Sequence, residues 1–219
     1  MITIYGCYRS RASRPLWLMF ETGAEFSHVP VIQGYRLADP SAPDAPVNTT
    51  SESFLAVNPM GQVPALADGD LVLTESLAMT FYLARKLGGE VAPQGLSEEA
   101  QAMNWALFAA TSVETPALTV LYNSVGPDAG NPDAPQKLAE ATEALVRPLS
   151  RLERHLSSHD WLMGGRFTVA DLMVAECVRY AQPHPPALAQ FPAITAWLAR
   201  CHARPAFQKM WAARTAEPA

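Results

Sequence analysis

The sequence predicts a small α/β module followed by an all-helical region. Three observations lead there. Short apolar, strand-like runs at residues 2–5, 26–31, 64–66 and 71–73 all fall within the first 87 residues. A stretch bearing Gly88, Gly89, Pro93 and Gly95 follows at 88–97 and reads as a linker. From 98 to 219 strand alternation disappears and apolar residues recur at helical spacing.

The elements follow in order. Ile2-Thr-Ile-Tyr5 is β-branched and apolar, as a buried strand requires. A loop over residues 6–12 leads into a helix for which Ser13 is the N-cap candidate, with Pro15 tolerated in the first turn. Leu16, Trp17, Met19 and Phe20 supply its apolar surface, and Gly23 closes it. The run 26–31 completes a βαβ order, for which a parallel pair with a right-handed crossover is expected. Residues 33–50, with Pro40, Pro43 and Pro46, form a connection longer than about a dozen residues, a length usually functional or mobile. Arg36 within it could reach a carboxylate but reads as a solvated arginine. Asn58-Pro59-Met60-Gly61 then breaks regular structure, and Val63-Pro64 suits a cis peptide bond before a strand. Asp68-Gly69-Asp70 marks a hairpin. Glu75-Ser76 opens an amphipathic helix that runs to Leu87.

The second half is read as helices. One long helix covers 98–122, bent near Pro116. A Gly- and Pro-rich loop fills 124–134. A further helix spans 135–159 despite Pro148, with Leu145, Leu149, Leu152 and Leu156 on one face. Phe167-Thr168-Val-Ala-Asp171-Leu172 is a capping-box signal with a hydrophobic staple. Asp171 is therefore expected to serve folding, not catalysis.

Composition excludes several classes. Of 219 residues, 17% are charged and 49% are apolar, which fits a globular protein. A net charge of −5 without any basic run leaves no nucleic-acid footprint. No apolar run approaches the roughly 18 residues of a membrane span. Met1 leads straight into the strand-like run, so no signal peptide is expected. Three scattered cysteines (7, 177 and 201) form neither a disulfide framework nor a zinc pattern, and a cytoplasmic location is expected. The five histidines have no metal spacing.

Residues 58–76 carry the functional signal. A strand with free backbone groups beside a helix N-terminus suits an extended peptide that ends in carboxylates. This stretch, in its order and spacing, closely resembles the glutathione transferase family. The resemblance implies a thioredoxin-like first domain (1–87), a linker (88–97) and an all-helical second domain (98–219). It also implies that the Val63 backbone pairs with the cysteinyl part of glutathione. Glu75 and Ser76 hold the γ-glutamyl end, and Gln62 contacts the glycine end. Glutathione would be the cosubstrate, a small hydrophobic electrophile its target, detoxification the role, and a homodimer the assembly.

The thiol must become thiolate at neutral pH. Lowering a pKa from about 8.5 by two units takes roughly 2.7 kcal/mol, which hydrogen bonds to sulfur and a helix N-terminus can supply. The donor must stand between the first strand and the first helix. By resemblance to the serine-type, theta- and zeta-like members, Ser10 takes that role. Ser10-Arg-Ala-Ser13 occupies the thioredoxin Cys-x-x-Cys register, and Ser13 reads as the helix cap. Tyr8 remains open as a tyrosine-type donor. Cys7 remains open as a thiol–disulfide exchange nucleophile, although Pro15 then lies too deep in the helix. A non-catalytic, regulatory or carrier member is the alternative from another class. Thr111 and Glu114 are weaker candidates for lining an electrophile pocket.

Overall fold

The computed structural model describes residues 1–217. They form two compact units: Met1–Gly89 together with the chain from Pro205 onward, and Glu90–Arg204. The first contains β1 (Ile2–Tyr5), α1 (Ser13–Thr22), β2 (Ser27–Val29), α2 (Glu52–Leu55), β3 (Ala65–Asp68), β4 (Leu71–Leu73) and α3 (Ser76–Leu87). The second contains α4 (Gly95–Phe108), α5 (Glu114–Ser124), α6 (Ala134–Leu156), α7 (Val169–Val178) and α8 (Pro192–His202). The last helix, α9 (Pro205–Ala216), returns to the first unit. Its place there departs from the sequence reading, which assigned the whole segment 98–219 to the helical part.

The sheet has the order β2-β1-β3-β4. β1 is parallel to β2 and antiparallel to β3, and β3 is antiparallel to β4. β2 is shorter than the expected run because Pro30 has no N–H to give to the ladder. Ile4, Leu16, Trp17, Leu66, Met79 and Leu83 are fully buried and make the core on which α1 and α3 sit.

A buried amide, Asn48, folds the long connection back upon itself. Asn48 Nδ2 donates to the carbonyls of Pro40 and Pro46, each at 3.0 Å. Its Oδ1 accepts from Thr50 N at 2.9 Å and from Thr50 Oγ1 at 2.7 Å. All the amide's polar capacity is spent on closing the loop upon itself, so the segment is ordered by its own side chains. Arg36 also turns inward: its guanidinium donates to Gln33 Oε1 at 3.2 Å, contrary to its reading as a solvated residue.

In the second unit the expected long helix starts at Gly95 and is interrupted by a π-helical turn over Ala109–Val113 before α5. Pro116 explains the position of the turn. Its ring would clash with the carbonyl four residues back, and a wider turn there relieves the clash. α6 carries Leu145, Leu149, Leu152 and Leu156 on its buried face, through Pro148. α7 is buried along its whole length, as a helix at the centre of a bundle must be.

Asp171 holds the start of α7. Its Oδ2 accepts from Thr168 N at 2.9 Å and Thr168 Oγ1 at 3.1 Å, and the Asp171 N–H donating to the Thr168 side chain completes the capping box. Its Oδ1 accepts from Leu162 N and Trp197 Nε1, both at 2.9 Å. Burial pushes the carboxyl above the ordinary aspartate range, against the weaker downward pull of these hydrogen bonds. Asp171→Ala should lower stability by about 3–5 kcal/mol, since it leaves several buried donors unpaired and removes a cap. Asp171→Asn, which keeps an acceptor, should cost less. Equal urea midpoints for wild type and the Ala variant would contradict the role.

Candidate active site

The sheet register brings three segments to one end. Tyr5 pairs with Ala65, so the loop after β1 lies beside the Val63-Pro64 peptide before β3. Leu66 pairs with Leu73, so Thr74, Glu75 and Ser76 leave β4 at that same end. Val63-Pro64 is cis. Asn58 shapes the turn that precedes it, its Nδ2 donating to Gln62 O at 2.6 Å and its Oδ1 accepting from Met60 N at 3.1 Å. Gln62 is exposed and Val63 half-buried.

Gly6 makes the close approach possible. Its φ is +143°, and a Cβ there would stand 2.9 Å from Ala12 Cβ and 3.4 Å from Val63 Cβ. Any side chain would push the β1–α1 loop away from the Val63-Pro64 peptide.

Ser10 sits in that loop, half-buried. Its hydroxyl donates to Cys7 O at 2.6 Å and accepts from Ala12 N at 3.0 Å. Its carbonyl accepts from Ser13 N at 3.2 Å. Ser10 thus shapes the turn that enters α1, and no side-chain hydrogen bond caps the helix at the position the sequence assigned to Ser13. Ser13 lies inside the helix and is buried, and Ala12 before it already has helical angles.

Arg14 joins α1 to the start of α3. It is 1% exposed, and its Nη1 donates to Ser76 Oγ at 2.9 Å. Ser76 keeps its own hydroxyl proton to donate. Glu75, the N-cap of α3, is exposed, and its carbonyl accepts from Met79 N at 2.8 Å. The helix start therefore carries an exposed carboxylate, the buried Ser76 hydroxyl and unspent N–H groups at the same sheet end as Val63.

Cys7 is 1% exposed, and its Sγ donates to Gln33 Oε1 at 3.1 Å. Burial pushes the thiol up, and the Glu217 carboxylate pushes it further, against the pull of Arg36 and Ser10. A raised thiol pKa means less thiolate at neutral pH than in free cysteine, the reverse of what an exchange nucleophile needs. The Tyr8 ring packs edge-on against His28 with centroids 5.0 Å apart. Its phenol is raised by burial and then by Glu217.

In the helical unit a groove of about 540 Å³ is lined by Phe108, Ser112, Ala144, Arg147, Pro148 and Arg151. The Arg151 guanidinium lies 4.4 Å from the Phe108 ring centroid. Thr111 is exposed, and its hydroxyl is spent on Leu107 O. Glu114 is buried against Cys177 Sγ at 3.6 Å. Among the described residues no cluster of three or more His, Cys, Asp or Glu could hold a metal ion. No described helix is long and apolar enough to cross a membrane.

Comparison with known proteins matches this architecture. A family model described as glutathione S-transferase, N-terminal domain, covers residues 1–85, and one described as glutathione S-transferase, C-terminal domain, covers 102–205. A probable glutathione S-transferase GSTF2 from Oryza sativa subsp. japonica is 36% identical over 214 residues, 94% of each chain. The chain belongs to the glutathione S-transferase family of enzymes. A solved glutathione S-transferase-I bound with lactoylglutathione aligns with a TM-score of 0.80 at 28% identity, covering 97% of this chain and 99% of that one. Elongation factor 1-gamma from Danio rerio is 32% identical over 182 residues, 80% of this chain and 40% of that protein.

Within this glutathione S-transferase fold, sequence reasoning missed Arg14, Asn48 and Glu217, and it read Asn58 as a break without foreseeing its side-chain hydrogen bonds. A charged residue inside the apolar run from Ala12 to Met19 was the available signal for Arg14. Nothing local marks Glu217. Because Cys7 is buried with a raised pKa, iodoacetamide at pH 7 should alkylate it in the folded protein about tenfold or more slowly than free cysteine. Rapid labelling at Cys7, located by peptide mass, would contradict this.

Proposed function

We propose that the chain binds glutathione along the Val63 backbone and activates its thiol for attack on a small hydrophobic electrophile. The observation that carries this reading is the gathering of the β1–α1 loop, the cis Val63-Pro64 peptide and the start of α3 at one end of the sheet. An extended peptide of glutathione's length meets a backbone edge at Val63. The Ser76 hydroxyl and the α3 N-terminus suit its γ-glutamyl carboxylate. The Glu75 carboxylate suits the neighbouring ammonium, and Gln62 suits the glycine end. The resemblance to the transferase bound with lactoylglutathione supports the choice of ligand.

Ser10 is assigned the thiolate. Its oxygen can go on accepting from Ala12 N while its one proton passes from Cys7 O to the sulfur, so activation exchanges one acceptor for another. The nearby start of α1 favours the same negative charge. In a substitution, the sulfur lone pair forms the new C–S bond and the leaving group departs with its bonding pair. The thiol proton goes to solvent. Catalysis then rests on proximity and on thiolate stabilisation.

A homodimer in the cytoplasm completes the proposal, with detoxification of electrophiles as its role. β4 is an edge strand with Leu71 and Val72 39% and 45% exposed, a surface that a second copy would cover. The three cysteines, none of them in a disulfide, suit a reducing compartment. The likeness to elongation factor 1-gamma favours a second reading, a non-catalytic member that retains the fold. Glutathione binding without turnover across a panel of electrophiles would select it.

Glu75→Ala and Ser76→Ala should each weaken glutathione binding by about 1.5–3 kcal/mol in calorimetric titration, while Ser10→Ala should spare affinity and raise the bound thiol's pKa. Turnover of an aromatic halide by Ser10→Ala should fall by about one to two orders of magnitude. Unchanged affinity in both α3 variants, or an unmoved thiol pKa in Ser10→Ala, would remove the corresponding assignment. Sedimentation at micromolar concentration should give twice the chain mass, and a 23.7 kDa species would contradict the dimer.

A further inference from the structure

The last helix brings the chain back to the loop that carries Ser10. α9 packs on α1 through an edge-to-face contact of Trp17 with Phe207, centroids 4.9 Å apart. Just past α9, Glu217 Oε1 accepts from Tyr8 N at 2.7 Å and its Oε2 accepts from Arg9 N at 2.8 Å. Arg214 Nη1 donates to Tyr8 O at 2.7 Å, and Arg9 Nε donates to Arg214 O at 3.2 Å. Two consecutive N–H groups converging on one carboxylate form an anion nest. Its occupant comes from a residue 209 positions away from Tyr8.

We propose that the segment from Arg214 to Glu217 is a strap that latches the β1–α1 loop in a resting state, and that turnover is fastest when the Glu217 carboxylate has left the nest. This rests on the reading of Ser10 as the residue that stabilises the glutathione thiolate. Three observations favour a brake over a support. With Glu217 in the nest the Ser10 proton lies on Cys7 O, so it must change acceptor before it can serve the sulfur. While Arg214 sets its guanidinium on the Tyr8 carbonyl, Glu217 adds a full negative charge beside the loop in which a second one must form. That charge already raises both neighbouring acids, Cys7 and Tyr8, after the contribution of burial. The nest suits any small anionic group, and the strap's departure would leave it open to the sulfur or to a carboxylate of the ligand.

The test compares the full-length wild type with Glu217→Ala and Glu217→Gln. Amide exchange at Tyr8 and Arg9 is measured without ligand. Thiolate ultraviolet absorbance across pH is measured with bound glutathione, and turnover with an aromatic halide (chlorodinitrobenzene). Glu217→Ala should exchange both amides about tenfold faster. It should lower the bound thiol pKa by about half a unit or more and raise kcat severalfold. Glu217→Gln, which keeps an acceptor without the charge, should protect the amides partly and lower the pKa as the Ala variant does. Urea midpoints identify any general loss of stability. Unchanged exchange at Tyr8 and Arg9 would overturn the latch. Faster exchange with a fall in kcat would also overturn it, making the strap a support for the working loop. If neither wild type nor variant binds glutathione, the reading of the site fails, while amide exchange still decides whether Glu217 holds the loop.

Discussion

β1, the entry to α1 and the Val63-Pro64 peptide meet at Gly6, where a Cβ would lie 2.9 Å from Ala12 and 3.4 Å from Val63. The rest of the site follows from that approach. Because the backbone passes so close, the loop after β1 shares a wall with the cis peptide. The register of β3 on β4 then delivers Glu75 and Ser76 to the same sheet end. Arg14 fixes the remaining side by carrying a buried guanidinium from α1 to Ser76. A charge so fully buried persists only where hydrogen bonds satisfy it, so α1 and α3 are bound to one geometry.

The electrostatics of this end are divided. The starts of α1 and α3 both favour negative charge, which suits a thiolate at one and a carboxylate at the other. Glu217 opposes the first by placing its own carboxylate on the Tyr8 and Arg9 amides. Cys7 sits under the same loop, and its thiol is raised by burial and by Glu217. On the proposed reading, the environment that raises the Cys7 thiol is partly the environment in which the glutathione sulfur would ionise. Ser10 is left as the adjustable group, since it alone in the loop pairs a movable hydroxyl proton with a fixed acceptor role toward Ala12.

Local signals were legible in the sequence. The hairpin at Asp68-Gly69-Asp70, the cis Val63-Pro64 bond, the Gly23 stop and the Thr168–Asp171 box each reside within a few neighbouring residues, and all four form. What stayed hidden depends on partners distant in the chain. Arg14 meets Ser76 62 positions later. Glu217 meets Tyr8 across nearly the whole chain. Ser13 does not cap α1 because the turn before it is already helical at Ala12, which composition does not record. The connection 33–50 scanned as structureless, yet Asn48 closes it through contacts to Pro40 and Pro46 that no periodicity predicts.

The central claim is that one sheet end, built from Ser10, Val63 and Ser76, receives glutathione. Titration of isotope-labelled protein with glutathione, followed by amide chemical shifts, tests it most directly. The account predicts that the Ser10, Val63 and Ser76 amides shift together along one saturation curve, while amides lining the Phe108–Arg151 groove stay in place. Saturable shifts confined to that groove, or an absence of shifts at all three positions, would contradict it.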